Sequence, residues 1–177
     1  MNYSECIIKA KDRIGKFCKA CPECNGRACK NQMPGPGSKG IGDTAVRNYD
    51  KWKEIRVQMD TIAENKPVDT SLELFGKTFR YPVFAGPVGA VSLHYGDCLD
   101  DVAYNDILVS ACAENGIAAF TGDGVDSNVM VAATAAIKKA GGVGIPTVKP
   151  WNLETIREKM ELVHESGAFA VAMDIDA

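Results

Sequence analysis

Histidine is scarce in this chain of 177 residues: there are two, His94 and His164. A reaction that needs a general base within reach of its substrate therefore has little to choose from. Nor is there an apolar run approaching the length of a membrane span, so no membrane association is expected. The opening MNYSECIIKAKDR has polar first turns and one short apolar step, Ile7-Ile8, which does not make a signal peptide. Net positive charge is also lacking. The formal charge is −3, without the footprint of a general nucleic-acid binder. Phosphate fingerprints are missing too: Gly35-Pro-Gly-Ser-Lys-Gly-Ile-Gly42 is glycine-rich but follows no strand, and is neither GxxxxGK[ST] nor GxGxxG in context. It reads as a structural loop.

What is present describes an ordinary globular chain, 46% hydrophobic and 24% charged, long enough for one domain with a sizeable core. Charge is unevenly spread. Residues 1–60 carry 12 Lys/Arg against 7 Asp/Glu, and residues 61–177 carry 8 against 16. The start is read as a solvated basic extension. Seven cysteines without a signal sequence imply reduced thiols and a cytoplasmic protein. Cys18, Cys21, Cys24 and Cys29 are spaced C-x2-C-x2-C-x4-C. Four thiolates at that spacing could close a zinc site, hold an Fe–S cluster, pair as a redox element or bind nothing. The reading without bound metal is taken first and the others stay open. Cys112, in an apolar helix, reads as a small core residue.

Two regions follow from the patterning. Residues 1–70 form a Cys-rich extension with helices over 4–17 and 43–55 and a loop at 33–42. Residues 71–177 are periodic. A hairpin at 72–81, turning at Gly76-Lys77, leads into an apolar strand at 83–86. Helices at 100–115, 127–140 and 152–166 alternate with strands at 117–121, 143–148 and 169–175. Asp126 and Asn152 are placed as N-caps, and Gly116 and Gly167 as stops. Short, continuously apolar strands joined by helices make a parallel α/β sheet, either doubly wound and open or part of a (β/α)8 barrel. The leading hairpin favours the barrel, of which this series supplies four strands. A half barrel is expected to form a homo-oligomer or to associate with a missing C-terminal half.

In both architectures the chemistry lies at the C-terminal strand ends. Those positions are Gly86 to Ala90, Thr121 to Gly124, Thr147 to Lys149, and Asp174 with Asp176. Small residues there let a flat ligand approach the backbone. A divalent cation on Asp123, Asp126, Asp174 and Asp176 is disfavoured, because the four come from different loops and Asp126 suits a helix cap. A buried Asp174 would need a partner or a raised pKa. His94 is placed on the loop after the first strand, and His164 inside a helix as a surface or packing residue.

The run Leu72-Glu-Leu-Phe-Gly-Lys-Thr-Phe-Arg-Tyr-Pro-Val-Phe-Ala-Gly-Pro-Val-Gly-Ala90, the loop Leu93-His-Tyr-Gly-Asp97 and the strand Ala172-Met-Asp-Ile-Asp176 resemble the FMN-dependent 2-hydroxy acid oxidising family, which includes glycolate oxidase and lactate oxidase. The resemblance covers residues 43–177. It implies a (β/α)8 barrel, FMN across the strand ends, and oxidation of a small 2-hydroxy acid such as lactate or glycolate. It places Pro87, Val88 and Gly89 at the flavin through their backbone, with Thr121 or Gly122 where the family has a serine. Asp174 stands where the family has a threonine, and Asp176 where it has an aspartate. The family's glutamine and tyrosine on the third strand are replaced by Ile145 and Thr147, and Lys149 is taken as a cation near the cofactor. The catalytic His, Arg and Lys of the family are expected in the missing half. Two alternatives are kept: another FMN barrel, similar to type 2 isopentenyl diphosphate isomerase, and a Cys-cluster metal-binding or redox module.

Overall fold

The computed structural model describes residues 2–15, 18–29 and 43–175. The glycine-rich loop at 33–42 and Asp176 lie outside them. The chain divides into two compact units, Met1–Val68 with Ser92–Cys98, and Asp69–Val91 with Leu99–Ala177.

In the first unit, α1 (Tyr3–Lys11) starts at a capping box. The Asn2 side chain accepts from the Glu5 amide at 2.9 Å, and the Glu5 carboxylate accepts from the Asn2 amide at 3.1 Å. The expected helix over 4–17 stops earlier, at Lys11. Beyond it the chain turns through Asp12 and Arg13 and presses Gly15 against the backbone of Tyr95 and Gly96. The Ile7-Ile8 step builds no core, since α1 has no buried residue. α2 (Thr44–Trp52) is laced by exposed ion pairs, Lys53 with Asp50 at 3.0 Å and Lys51 with Glu54 at 2.7 Å. Pairs this exposed contribute little to stability. Trp52 at its end is 74% exposed.

The second unit opens with the antiparallel hairpin β1 (Leu72–Leu74) and β2 (Lys77–Phe79), in which Leu74 faces Lys77. The two turn residues are therefore Phe75 and Gly76, both at positive φ, rather than Gly76-Lys77. The backbone N–H of Arg80 donates to Gly116 O at 2.7 Å, just ahead of the second parallel segment. Phe79 is buried and packs on Phe84 and Phe169, with ring centroids at 5.0 and 5.4 Å. Those rings stand near the beginnings of the first and fourth parallel segments. The hairpin thus covers the N-terminal ends of the segments, opposite the ends where a site would form.

The parallel pairing runs in sequence order. Bridges join Ala85 to Ala119 and Phe120 to Ile145, and β3 (Thr147–Val148) pairs with β4 (Ala172–Met173). Hydrogen bonds extend the ladder beyond these short strands, from the amides of Ala85, Phe120, Thr121, Ile145, Ala172 and Asp174. The order does not reverse among the described residues, and reversal is what a doubly wound sheet requires at its switch point. Among the described residues the sheet is not closed into a barrel.

Between the segments lie α3 (Val91–Tyr95), α4 (Asp101–Glu114), α5 (Ser127–Lys139) and α6 (Leu153–Ser166). The last three match the expected helices to within a residue or so. Each starts on an anionic or amide cap: Asp100 on the Ala103 amide, Asp126 on Asn128 and Asn152 on Thr155. Gly167 closes α6 at φ 70°, a left-handed conformation that suits glycine. α5 packs between α4 and α6. Its Ala136 and Ile137 meet Val109, Cys112 and Ala119, and its Met130 meets Val148 and Val163. Cys112 is the core residue its setting implied, and burial pushes its thiol pKa up. Fully burying a side chain the size of Ile137 stabilises by about 1.5–3 kcal/mol.

Removing one cap tests this local reading. Asn152→Ala is expected to cost about 1 kcal/mol, and so to lower the melting temperature by about 2–4 °C. An unchanged melting curve would show that α6 does not depend on its cap.

Candidate functional site

The segment ends gather small residues first. Gly122 lies so close to the first segment that a Cβ there would meet Val88 O at 2.2 Å and Gly89 Cα at 3.0 Å. A Cβ on Gly89 would meet Asp123 O at 3.2 Å. Val88, Gly89, Gly122 and Asp123 are therefore one contact group, with Pro87 exposed beside it. A Cβ on Gly86 would meet nothing within 4 Å, so there is open space against this backbone. The hydroxyls of Thr121 and Thr147, at the ends of the second and third segments, are buried and have no hydrogen-bond partner among the described residues. Two orphaned buried hydroxyls ask for a ligand or water to complete them.

Asp123 forms the electrostatic centre. Its side chain is completely buried, and the Lys159 side chain is 8% exposed. Asp123 Oδ1 accepts from Lys159 Nζ at 2.6 Å and from the Gly124 amide at 2.9 Å. Oδ2 accepts from Trp151 Nε1 at 2.7 Å and from the Lys149 amide at 2.9 Å. Lys159 Nζ also stands 5.5 Å from the centroid of the Trp151 ring. Burial is the largest influence on the carboxyl and by itself raises its pKa. The bonds from Lys159, the Lys149 amide and Trp151, with the Lys159 charge, together outweigh burial and hold the pKa below the usual value.

A pH dependence follows. A carboxyl whose folded pKa is depressed adds stability that is fully present above its unfolded pKa of about 3.9. That stability is lost as pH falls through the lower folded value. Between pH about 5 and 2 the wild-type chain should lose stability more steeply than Asp123→Asn, as read by urea midpoints across that range. Parallel acid profiles would contradict the assignment.

The next charged pair lies at the third and fourth segment ends. Lys149 Nζ donates to Asp174 Oδ2 at 2.8 Å, with the side chains 38% and 29% exposed. The Asp174 amide donates to Val148 O at 2.9 Å. Asp174 is half-buried rather than buried, and Lys149 is its partner. Asp123 is fully engaged by donors and Asp126 caps α5, so neither is arranged as a cation ligand.

Other candidates lie elsewhere. His94 sits on α3, a five-residue helix, not on a loop; the chain enters this helix after Ala90, at φ 51°, and leaves it at Gly96, at φ 95°. Its ring stands edge-on to Tyr95 at 6.3 Å, in the first unit. His164 is exposed in the last turn of α6 and lines an open depression of about 430 Å³ with Arg157, Met160, Glu161 and Glu165. Cys18, Cys21, Cys24 and Cys29 are free thiols. Among the described residues, no three Cys, His, Asp or Glu side chains converge on a metal position. No described helix is long and apolar enough to cross a membrane.

Sequence reasoning missed Lys159 and Trp151. One signal for Lys159 was available: it occupies the stripe Ile156, Lys159, Val163, Ser166, whose last three members are buried. A lysine on the buried stripe of a helix needs a carboxylate opposite.

The sequence was compared with known proteins. The family model described as FMN-dependent dehydrogenase matches residues 36–177. No curated protein matches the chain.

Proposed function

This chain belongs to the FMN-dependent dehydrogenase family, and from that membership we propose that it oxidises a small 2-hydroxy acid such as lactate or glycolate. The family binds FMN and carries out oxidoreduction. The observation that carries the reading is the extent of the match, which takes in all four parallel segments and every strand-end residue discussed above. The fold we assign is a (β/α)8 barrel, with these segments as its first four strands. Their pairing in sequence order and the hairpin under their N-terminal ends support it.

The residues present suit a flavin. Open space beside Gly86 would admit a planar ring, while Gly122 lets the Val88–Gly89 backbone close up against the second segment. The backbone of Pro87 to Gly89 would flank it, and the buried hydroxyls of Thr121 and Thr147 would gain partners near it. Lys149 and Asp174 would supply charged hydrogen-bonding groups. Bound FMN supplies a two-electron acceptor. The chain's own contribution is to bind, orient and exclude water.

The test is a visible spectrum of the purified full-length protein, followed by anaerobic addition of lactate and glycolate. Flavin bands that bleach with either acid are expected. Flavin bands that neither acid bleaches would remove the substrate assignment and turn attention to other FMN barrels, such as type 2 isopentenyl diphosphate isomerase. A protein that takes up no FMN would overturn the whole reading.

A further inference from the structure

We infer that Cys18, Cys21, Cys24 and Cys29 together hold an iron–sulfur cluster in the first unit. The inference is independent of the flavin reading. It starts from what this unit lacks. Among its described residues only Ala20 and Gly26 are buried, and neither α1 nor α2 buries a residue. A unit of fewer than about 80 residues with so little core is ordinarily stapled by disulfides or a metal. Both buried residues lie inside the cysteine loop, between Cys18 and Cys29. All four of these cysteines are free thiols, which leaves the staple to a metal centre.

The loop is already held in shape from both helices. Tyr3 of α1 donates its hydroxyl to Pro22 O at 2.9 Å, and Tyr49 of α2 donates to the Glu23 carboxylate. Gly26, at φ 75°, is pressed on the start of α2, where an added Cβ would meet Ala45 Cβ at 2.7 Å. Arg27 pairs with Asp50 at 3.6 Å. Ala20, two residues after Cys18, stands at φ 44°, a left-handed conformation that is strained for a residue with a side chain. Its amide donates to Cys18 Sγ at 3.4 Å. Hydrogen bonds to sulfur are one means by which a protein tunes an iron–sulfur cluster.

A cluster fits this loop better than a single zinc ion. Zinc requires its four sulfurs at about 2.3 Å from one centre, and no three of the described thiols converge on one metal position. A cluster binds each thiolate through its own corner or edge, so its ligands stand further apart. The spacing agrees: C-x2-C-x2-C matches the first three ligands of the bacterial cluster run, and Cys29 supplies a fourth. Charge agrees as well. Four thiolates make the centre anionic, and residues 9–30 hold seven Lys/Arg against two Asp/Glu. Such a cluster passes single electrons, a function separate from the two-electron chemistry of a flavin.

The experiment is iron, acid-labile sulfide and zinc analysis of the full-length protein purified without oxygen. Iron and sulfide are expected in equal amounts, about two or four of each per chain. Cys21→Ser and Cys24→Ser should each lose most of the iron, while Cys6→Ser, at an exposed thiol outside the motif, should keep it. A second readout needs no variant. Stripping iron from the wild-type protein with a chelator should speed proteolysis within residues 1–68 roughly tenfold or more, because metal binding and folding are coupled. Stoichiometric zinc without iron overturns the inference, as does protein with no metal at all. Iron that survives both serine variants, or proteolysis that does not change on stripping, overturns it too. Flavin bands report on the FMN reading separately, so either reading can fail alone.

Discussion

Replacing Lys159 with methionine should lower the melting temperature by on the order of 10 °C. The substitution nearly conserves volume and leaves α6 a good helix former, so packing and propensity change little. What it removes is the cation 2.6 Å from a carboxylate whose side chain is wholly buried. Taking one partner from a buried pair leaves the other charged and poorly compensated, at a cost of about 3–5 kcal/mol. For a chain of this length each kcal/mol corresponds to about 2–4 °C. Two further observations would separate this cause from a general packing defect. The Asp123 carboxyl should titrate higher in the variant, since its strongest hydrogen bond is gone. Adding Asp123→Leu to Lys159→Met should also recover part of the loss, because an apolar pair owes no desolvation. A single variant melting within about 2 °C of wild type would show that the pair contributes nothing net.

Gly122→Ala should be nearly as damaging, by a different route. The added methyl group would lie 2.2 Å from Val88 O and 2.8 Å from Val88 C. These are backbone atoms, which cannot swing aside as a side chain would. The segment Pro87 to Gly89 or the end of the second segment must move. Overpacking of this kind costs about 1–3 kcal/mol in stability. The same movement displaces the backbone proposed to flank the flavin, and each 1.4 kcal/mol lost there is a tenfold drop in affinity. FMN binding is expected to weaken by roughly tenfold or more, read by titration of the apoprotein. Gly124→Ala is the matched control. A Cβ there meets nothing within 4 Å, and it should bind FMN as wild type does. If the two variants behave alike, close approach at Gly122 is not what matters.

Much of the second unit was legible before its structure was known, because its signals are local. The caps at Asp126 and Asn152 and the stop at Gly167 announce themselves in a few residues, and the helices over 101–114, 127–139 and 153–166 follow from them. The strand-end set was named by a positional rule that needs no contacts. What escaped was what depends on residues far apart. Asp123 looked like one loop carboxylate among several, because three of its four donors lie 26 to 36 residues away. α3 was missed because five residues carry too little periodicity to register. The helix over 4–17 was read too long because Ile14 continues the apolar spacing, while the contact of Gly15 with Tyr95 and Gly96 has no local signature. The turn was placed one residue late at Gly76-Lys77, since Phe75 at φ 50° is an unusual occupant of a left-handed position.

Trp151 gives the buried clamp an optical voice. Its indole N–H is bonded to Asp123 and its ring lies near the Lys159 ammonium, so its emission depends on both. The chain has two tryptophans, and the other, Trp52, is 74% exposed. With Trp52→Phe as background, intrinsic fluorescence becomes a one-residue signal from the clamp. Loosening of the third segment end would shift the emission to the red. The order in which clamp and remaining fold come apart could then be followed in real time, without a label.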